Sequence, residues 1–310
     1  MPNGTSIGLG LAALGRPGYL NLGHGDDLGD QRTVDALERR THEVLDAAHA
    51  AGVRYFDAAR SYGLAERFLS SWLRSRGIPP GTVGIGSKWG YEYTAGWKVD
   101  ADPPEVKDLS VDNYRRQVAE TMELLGDHLT LYQVHSATLD SGVLDDEELL
   151  EEMSDLRQEE IALGLTVTGP EQAATIHRAV EVGEFDCVQA TWNLIERSVG
   201  DALARAAEAG MRVIVKEALA NGRLAGREPC PPLERAAQSL GTTPDAVAIA
   251  AALGQPWADV VLSGAATVEQ LESNLDAHRF ALGPGVMEEL DALREPADEY
   301  WRRRSALDWT

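Results

Sequence analysis

Apolar positions along the chain fall into two alternating patterns. Short continuous runs occur at 6–9, 53–57, 83–87, 129–134, 162–166, 187–190, 212–216 and 259–263. Runs of this length, bounded by turn residues, read as buried strands. Between them lie longer stretches whose apolar residues recur at helical spacing, at 33–51, 64–76, 110–125, 145–158, 170–182, 198–209, 233–240, 244–253 and 267–277. Their ends carry the expected punctuation. Gly52, Gly77, Gly126 and Gly210 close helices. Ser110 suits an N-cap, with Asp112 in the first turn, and Pro170 suits the opening turn of its helix.

Strict strand–helix alternation predicts a parallel sheet, because parallel neighbours need a crossover between them. Eight such units predict a (β/α)8 barrel spanning 1–310 as a single domain, with its active site at the C-terminal ends of the strands. The rival is an open doubly wound sheet. Its one support is GLGLAA, from Gly8 to Ala13, a loose match to a dinucleotide fingerprint. The context argues against it: no helix opens there, and no following strand ends in an acid at the expected distance. Long loops at 89–109 and 217–232, with the tail 284–310, are expected over the barrel mouth. Aromatic residues in the first of them, Trp89, Tyr91 and Trp97, are expected to wall a substrate pocket.

Composition narrows the partners. The chain has 310 residues, 44% of them hydrophobic, enough for a large core. Its longest apolar run, 246–253, falls far short of the roughly 20 residues of a membrane span. A formal charge of −22 argues against nucleic acid and anionic membrane. The first residues lack the basic and apolar regions of a signal peptide. Two cysteines provide no disulfide framework, which fits a reducing, cytoplasmic setting. The seven histidines show no HxH or HExxH spacing, so no metal is expected.

Candidate chemistry gathers after the second, third and fourth strands. Asp57 and Tyr62 lie in YFDAARSYG, Lys88 in SKWG and His135 in LYQVHS. Adding hydride to a carbonyl leaves negative charge on oxygen, and an acid must supply a proton there. Tyr62 is the candidate acid. A cation at Lys88 would favour its phenolate, Asp57 would orient Lys88, and His135 would polarise the carbonyl. Singly, each residue reads as an ordinary loop or strand-end side chain; their joint placement carries the reading.

These motifs resemble those of the aldo-keto reductase superfamily, whose catalytic tetrad maps onto Asp57, Tyr62, Lys88 and His135. The resemblance implies an NAD(P)(H)-dependent oxidoreductase acting between a small carbonyl and its alcohol. It also implies cofactor contacts. Thr166 and Gln189 would hold the nicotinamide carboxamide, and Trp192 would stack on the ring, although core packing is its plain alternative. Lys216, Gly264 and Ala265 would meet the phosphates, and Gln270 and Asn274 the adenosine. The family favours NADP(H). NAD(H) stays open, because no Lys or Arg lies between Val260 and His278 to hold a 2′-phosphate; Lys216, Arg223, Arg227 and Arg279 are the candidate substitutes. Two other readings are a cofactor-binding regulatory subunit with little turnover, and a lyase or hydrolase using Asp57 and His135.

Overall fold

The computed structural model describes residues 5–310. β1 (Ser6–Gly10) leads through α1 (His24–Leu28) to α2 (Val34–Ala50), and β2 (Tyr55–Asp57) to α3 (Ala65–Ser75). β3 (Gly84–Trp89) is followed by β4 (Tyr91–Tyr93), β5 (Glu105–Lys107) and α4 (Val111–Leu125). Then come β6 (Leu131–Ala137), α5 (Glu147–Ser154), β7 (Ala162–Val167), α6 (Gln172–Val182), β8 (Cys187–Thr191) and α7 (Gly200–Glu208). β9 (Arg212–Lys216) precedes α8 (Pro231–Leu240) and α9 (Pro244–Leu253). β10 (Val260–Ser263) precedes α10 (Val268–Leu275), α11 (Pro284–Leu290) and α12 (Ala297–Ser305).

Eight strands close into a parallel barrel in the order β1-β10-β9-β8-β7-β6-β3-β2. This is the (β/α)8 architecture that the alternation predicts, in a single domain. Helix starts follow local chemistry: the side chains of Thr33 and Ser110 accept from the backbone N–H of Ala36 and Asn113 at 3.3 Å each. Two small elements escape the apolar pattern. β4 and β5 form an antiparallel hairpin inside the segment read as loop 89–109, and α1 is one short turn-length helix in the loop after β1. Both are too short to show a period. No helix among the described residues is long and apolar enough to cross a membrane.

The main core lies between the barrel and its helices, and a smaller apolar layer of Leu131, Cys187, Ile214, Val260 and Leu262 packs with Tyr55 inside the barrel. Glycine makes room for the Tyr55 ring. A Cβ on Gly8 would come within 3.0 Å of it, and one on Gly86 would collide with its hydroxyl. That placement brings the Tyr55 hydroxyl to Asp57, the floor of the site.

Candidate active site

Parallel pairing of β2 with β3, and of β3 with β6, brings the predicted residues to one end of the barrel. Lys88 is fully buried. Its ammonium forms an ion pair with Asp57 and donates to the Ala58 carbonyl at 2.8 Å. The other oxygen of Asp57 accepts from Tyr55 Oη and Gln133 Nε2, both at 3.3 Å, and from Gln189 Nε2 at 3.1 Å. A buried ion pair is tolerable when neighbours meet its hydrogen-bonding capacity; here both oxygens of Asp57 accept and Lys88 has two acceptors.

Tyr62 sits on the turn after β2. The Lys88 ammonium lies 4.8 Å from its ring centroid, and the Arg16 guanidinium 5.1 Å from it. Its ring meets His135 edge-on, centroid to centroid 5.6 Å. His135 stands where β6 is irregular: the register with β7 shifts between Val134 and Ala137, and Ser136 has φ of 60°. A bulge of this kind re-aims side chains at a strand end. The Ser136 N–H donates to Thr166 Oγ1 at 2.7 Å, which ties the bulge to the neighbouring strand.

Burial pushes the Tyr62 phenol up and Asp57 pushes it further, with Arg16 opposing. The expected lowering by Lys88 is therefore reversed in the free protein: burial dominates, and Asp57 already compensates the Lys88 charge. Burial, reinforced by Lys88, Lys216, Arg16 and Lys107, holds the His135 imidazolium well below the usual histidine range. Near neutral pH the site thus presents a neutral phenol and a neutral imidazole.

Above these groups opens a cavity of about 520 Å³. Asp57, Tyr62, His135, Thr166, Gln189, Lys216, Gly264, Ala265, Gln270 and Asn274 all line it, as does Tyr91. Lys88 lies beneath, within the Asp57 pair. The lining runs from Tyr62 and His135 past the ends of β7, β8 and β9 to the first turns of α10. The Lys216 ammonium has no hydrogen bond or ion pair among the described residues. Burial lowers it to about 8, with Glu217 opposing. An unpaired amine lining a cavity suits an anionic ligand.

Three aromatic expectations are corrected. Trp89 follows Lys88 on β3, so strand alternation turns it to the opposite face, where it packs on Tyr114 of α4 at 5.1 Å. Trp97 donates to the Arg32 carbonyl at 2.7 Å and packs on Phe68, away from the cavity. Trp192 is three residues beyond the inward Gln189 and also faces outward, against Trp257 at 5.9 Å. Gln189 lines the cavity, but its amide nitrogen is bonded to Asp57. Its carbonyl oxygen is the atom left for a carboxamide donor.

Several lining residues carried no sequence signal. Arg16 is buried after β1, donating to the Ser61 carbonyl at 2.8 Å and paired with Glu105 at 2.9 Å. Its guanidinium also stacks on Trp309 at 4.4 Å. Arg304 of α12 pairs with Glu217 at 2.6 Å. Burial alone would raise the Glu217 carboxyl, but Arg304 and Lys216 overcome it and hold the group at about 2. These contacts join segments far apart in sequence, Arg16 and Trp309 at nearly the full length of the chain, which no local pattern records.

Comparison with known proteins shows the family. The chain is 26% identical to an aldo-keto reductase of Strobilurus tenacellus, with 94% of this chain and 87% of the relative covered. It is 23% identical to an uncharacterized oxidoreductase of Bacillus subtilis, covering 84% and 88%. Among solved structures it is similar to the aldo-keto reductase AKR11C1 from Bacillus halodurans, with a TM-score of 0.69 at 21% identity over 95% and 96% of the two chains. A putative aldo-keto reductase from Pseudomonas aeruginosa superposes with a TM-score of 0.63 at 24% identity, covering 92% and 90%. The Aldo/keto reductase family matches residues 6–295, and over that span the chain is a member of it.

Proposed function

We propose that this oxidoreductase is an NAD(P)H-dependent reductase of small aldehydes or ketones, working reversibly on the corresponding alcohols. The observation that carries the reading is the convergence of the buried Lys88–Asp57 pair, Tyr62 and His135 at the floor of one elongated cavity. The nicotinamide, when bound, supplies the hydride. Thr166, the Gln189 carbonyl oxygen, Gly264 and Ala265 would hold that cofactor along the cavity.

The chain's own groups then handle the oxygen. Ser61 Oγ lies 3.5 Å from His135 Nδ1; in the tautomer in which the hydroxyl donates to Nδ1, the neutral ring carries its proton on Nε2 and can donate it to the substrate carbonyl. As the oxygen gains negative charge, the Tyr62 hydroxyl donates its proton, because an alkoxide is a far stronger base than a phenolate. The phenolate left behind faces two cations, Arg16 and Lys88. In the free protein Tyr62 stays protonated, so the acid is present before substrate arrives. Tyr91 and Trp309 line the cavity and would confine the substrate.

The test is turnover. Purified protein is mixed with reduced nicotinamide cofactor and a panel of aliphatic and aromatic carbonyl compounds. Consumption of reduced cofactor dependent on the carbonyl is expected. Tight cofactor binding with no consumption across the panel would instead support a binding protein with little turnover.

A further inference from the structure

The cavity end remote from Tyr62 carries a charge pattern that selects between the two nicotinamide dinucleotides. Glu269, Gln270, Ser273 and Asn274 of α10 line that end, with Asp245 of α9 behind them. Asp245 accepts from Asn274 Nδ2 at 2.7 Å, and Asn274 Oδ1 accepts from Ser263 Oγ at 2.7 Å, so Asn274 is fixed by its neighbours. Asp27 of α1 also lines the cavity. It lies on the same side, because Arg40 of α2 donates to its carbonyl at 2.5 Å and is close enough to Glu269 to act on its carboxyl.

The cations within reach are committed elsewhere. Arg227 lines the cavity but is ion-paired with Asp27. Arg40 lies outside the lining, its guanidinium turned to the Asp27 carbonyl and Gln31 Oε1. Arg223 pairs with Glu295 and Glu228, and Arg279 pairs with Asp276; neither lines the cavity. Lys216 belongs to the other end, within electrostatic reach of Lys88 and Asp57. The lining of the remote end therefore holds three carboxylates, Asp27, Asp245 and Glu269, against one arginine.

A ribose 2′-phosphate carries about −1.5 to −2 charges near neutral pH and needs cations as partners. A free 2′-hydroxyl is a donor, and a carboxylate accepts from it. We infer that the cavity is built for the cofactor without a 2′-phosphate, NAD(H), rather than the NADP(H) that the family resemblance implies. Glu269, in the first turn of α10, is the main discriminating residue, repelling a 2′-phosphate and accepting from a 2′-hydroxyl. The inference rests on the proposed function and adds the nucleotide to it.

Titrating the full chain with NADH and NADPH, followed by tryptophan quenching and by calorimetry, tests this without turnover. NADH is expected to bind at least about tenfold more tightly than NADPH, a difference of about 1.4 kcal/mol. Glu269 is exposed, so Glu269→Lys should fold normally and shift the ratio toward NADPH by about tenfold or more, the shift shrinking at high salt. Equal or tighter NADPH binding by the unaltered protein overturns the inference while leaving the reductase reading intact. Binding of neither dinucleotide overturns both.

Discussion

At the scale of single residues, the site depends on groups that hold one another in unusual protonation environments. Lys88 illustrates it: burial lowers its ammonium, and Asp57 opposes that shift from within hydrogen-bond contact. Lys88→Met should therefore do two things. It should remove most reductase activity, and it should destabilise the fold by about 3–5 kcal/mol, because Asp57 would be left buried without its cation. Urea unfolding monitored beside activity separates the two effects; a variant of ordinary stability and activity would contradict the role assigned to the pair. A second buried group predicts a pH effect. His24 is fully buried beside Tyr19, with neither ring nitrogen bonded among the described residues. Burial, aided by Arg16, Arg32 and Arg40, lowers it from 6.5 to about 4. The unfolded chain then takes up this proton first as pH falls. Stability is complete above about 6.5 and is lost progressively toward pH 4, by about 3 kcal/mol from this group. Denaturation midpoints at pH 7 and pH 5 should differ accordingly, and His24→Leu should reduce the difference.

At the scale of elements, parity along the strands decides what reaches the cavity. The positions of the strands were legible because eight short apolar runs alternate with helical ones, and Asp57, Lys88 and His135 were legible because each ends such a run. Trp89 and Trp192 point to the cavity by residue type, and strand alternation turns both away from it. Once Lys88 faces inward, Trp89 must face α4, and once Gln189 faces inward, Trp192 must face the helix layer. Trp192→Ala is therefore expected to cost about 3–5 kcal/mol in stability while leaving cofactor dissociation constants unchanged. A weakened cofactor with normal stability would restore it to the site. The bulge in β6 is the element-level feature that sequence could not reveal. Ser136 adopts a left-handed conformation unusual for a residue with a side chain, held by its bond to Thr166. Arg16, Arg304 and Trp309 were equally hidden, because their contacts with Tyr62, Glu217 and Tyr19 are made only when the barrel closes.

At the scale of the whole molecule, the loop after β1 and the last described residues meet beside the cavity. Tyr19 and Thr310 exchange backbone hydrogen bonds at 3.0 and 3.1 Å, and Trp309 stacks on Arg16. Trp309 of this tail lines the cavity, and on the proposed function it would wall the substrate end. Removal of residues 306–310 should raise KM for carbonyl substrates several-fold, with little change in the unfolding midpoint and in cofactor affinity. A large fall in stability would show instead that the tail is part of the fold's support. Within a molecule of net charge −22, Lys216 and Arg16 place two cations at the Tyr62 end of the cavity, beside the carboxylates of Asp57, Glu105 and Glu217.

The central claim is that Tyr62 is the proton donor in a nicotinamide-dependent reduction. Its most direct test is Tyr62→Phe, with cofactor dissociation constant and single-turnover oxidation of the reduced cofactor measured on the same preparation. Loss of the acid should slow turnover by about 10²–10⁴-fold. The dissociation constant should stay close to that of the unaltered protein, because Tyr62 donates to substrate and not to the cofactor. A variant that binds cofactor and reduces carbonyl compounds at the original rate would contradict the account.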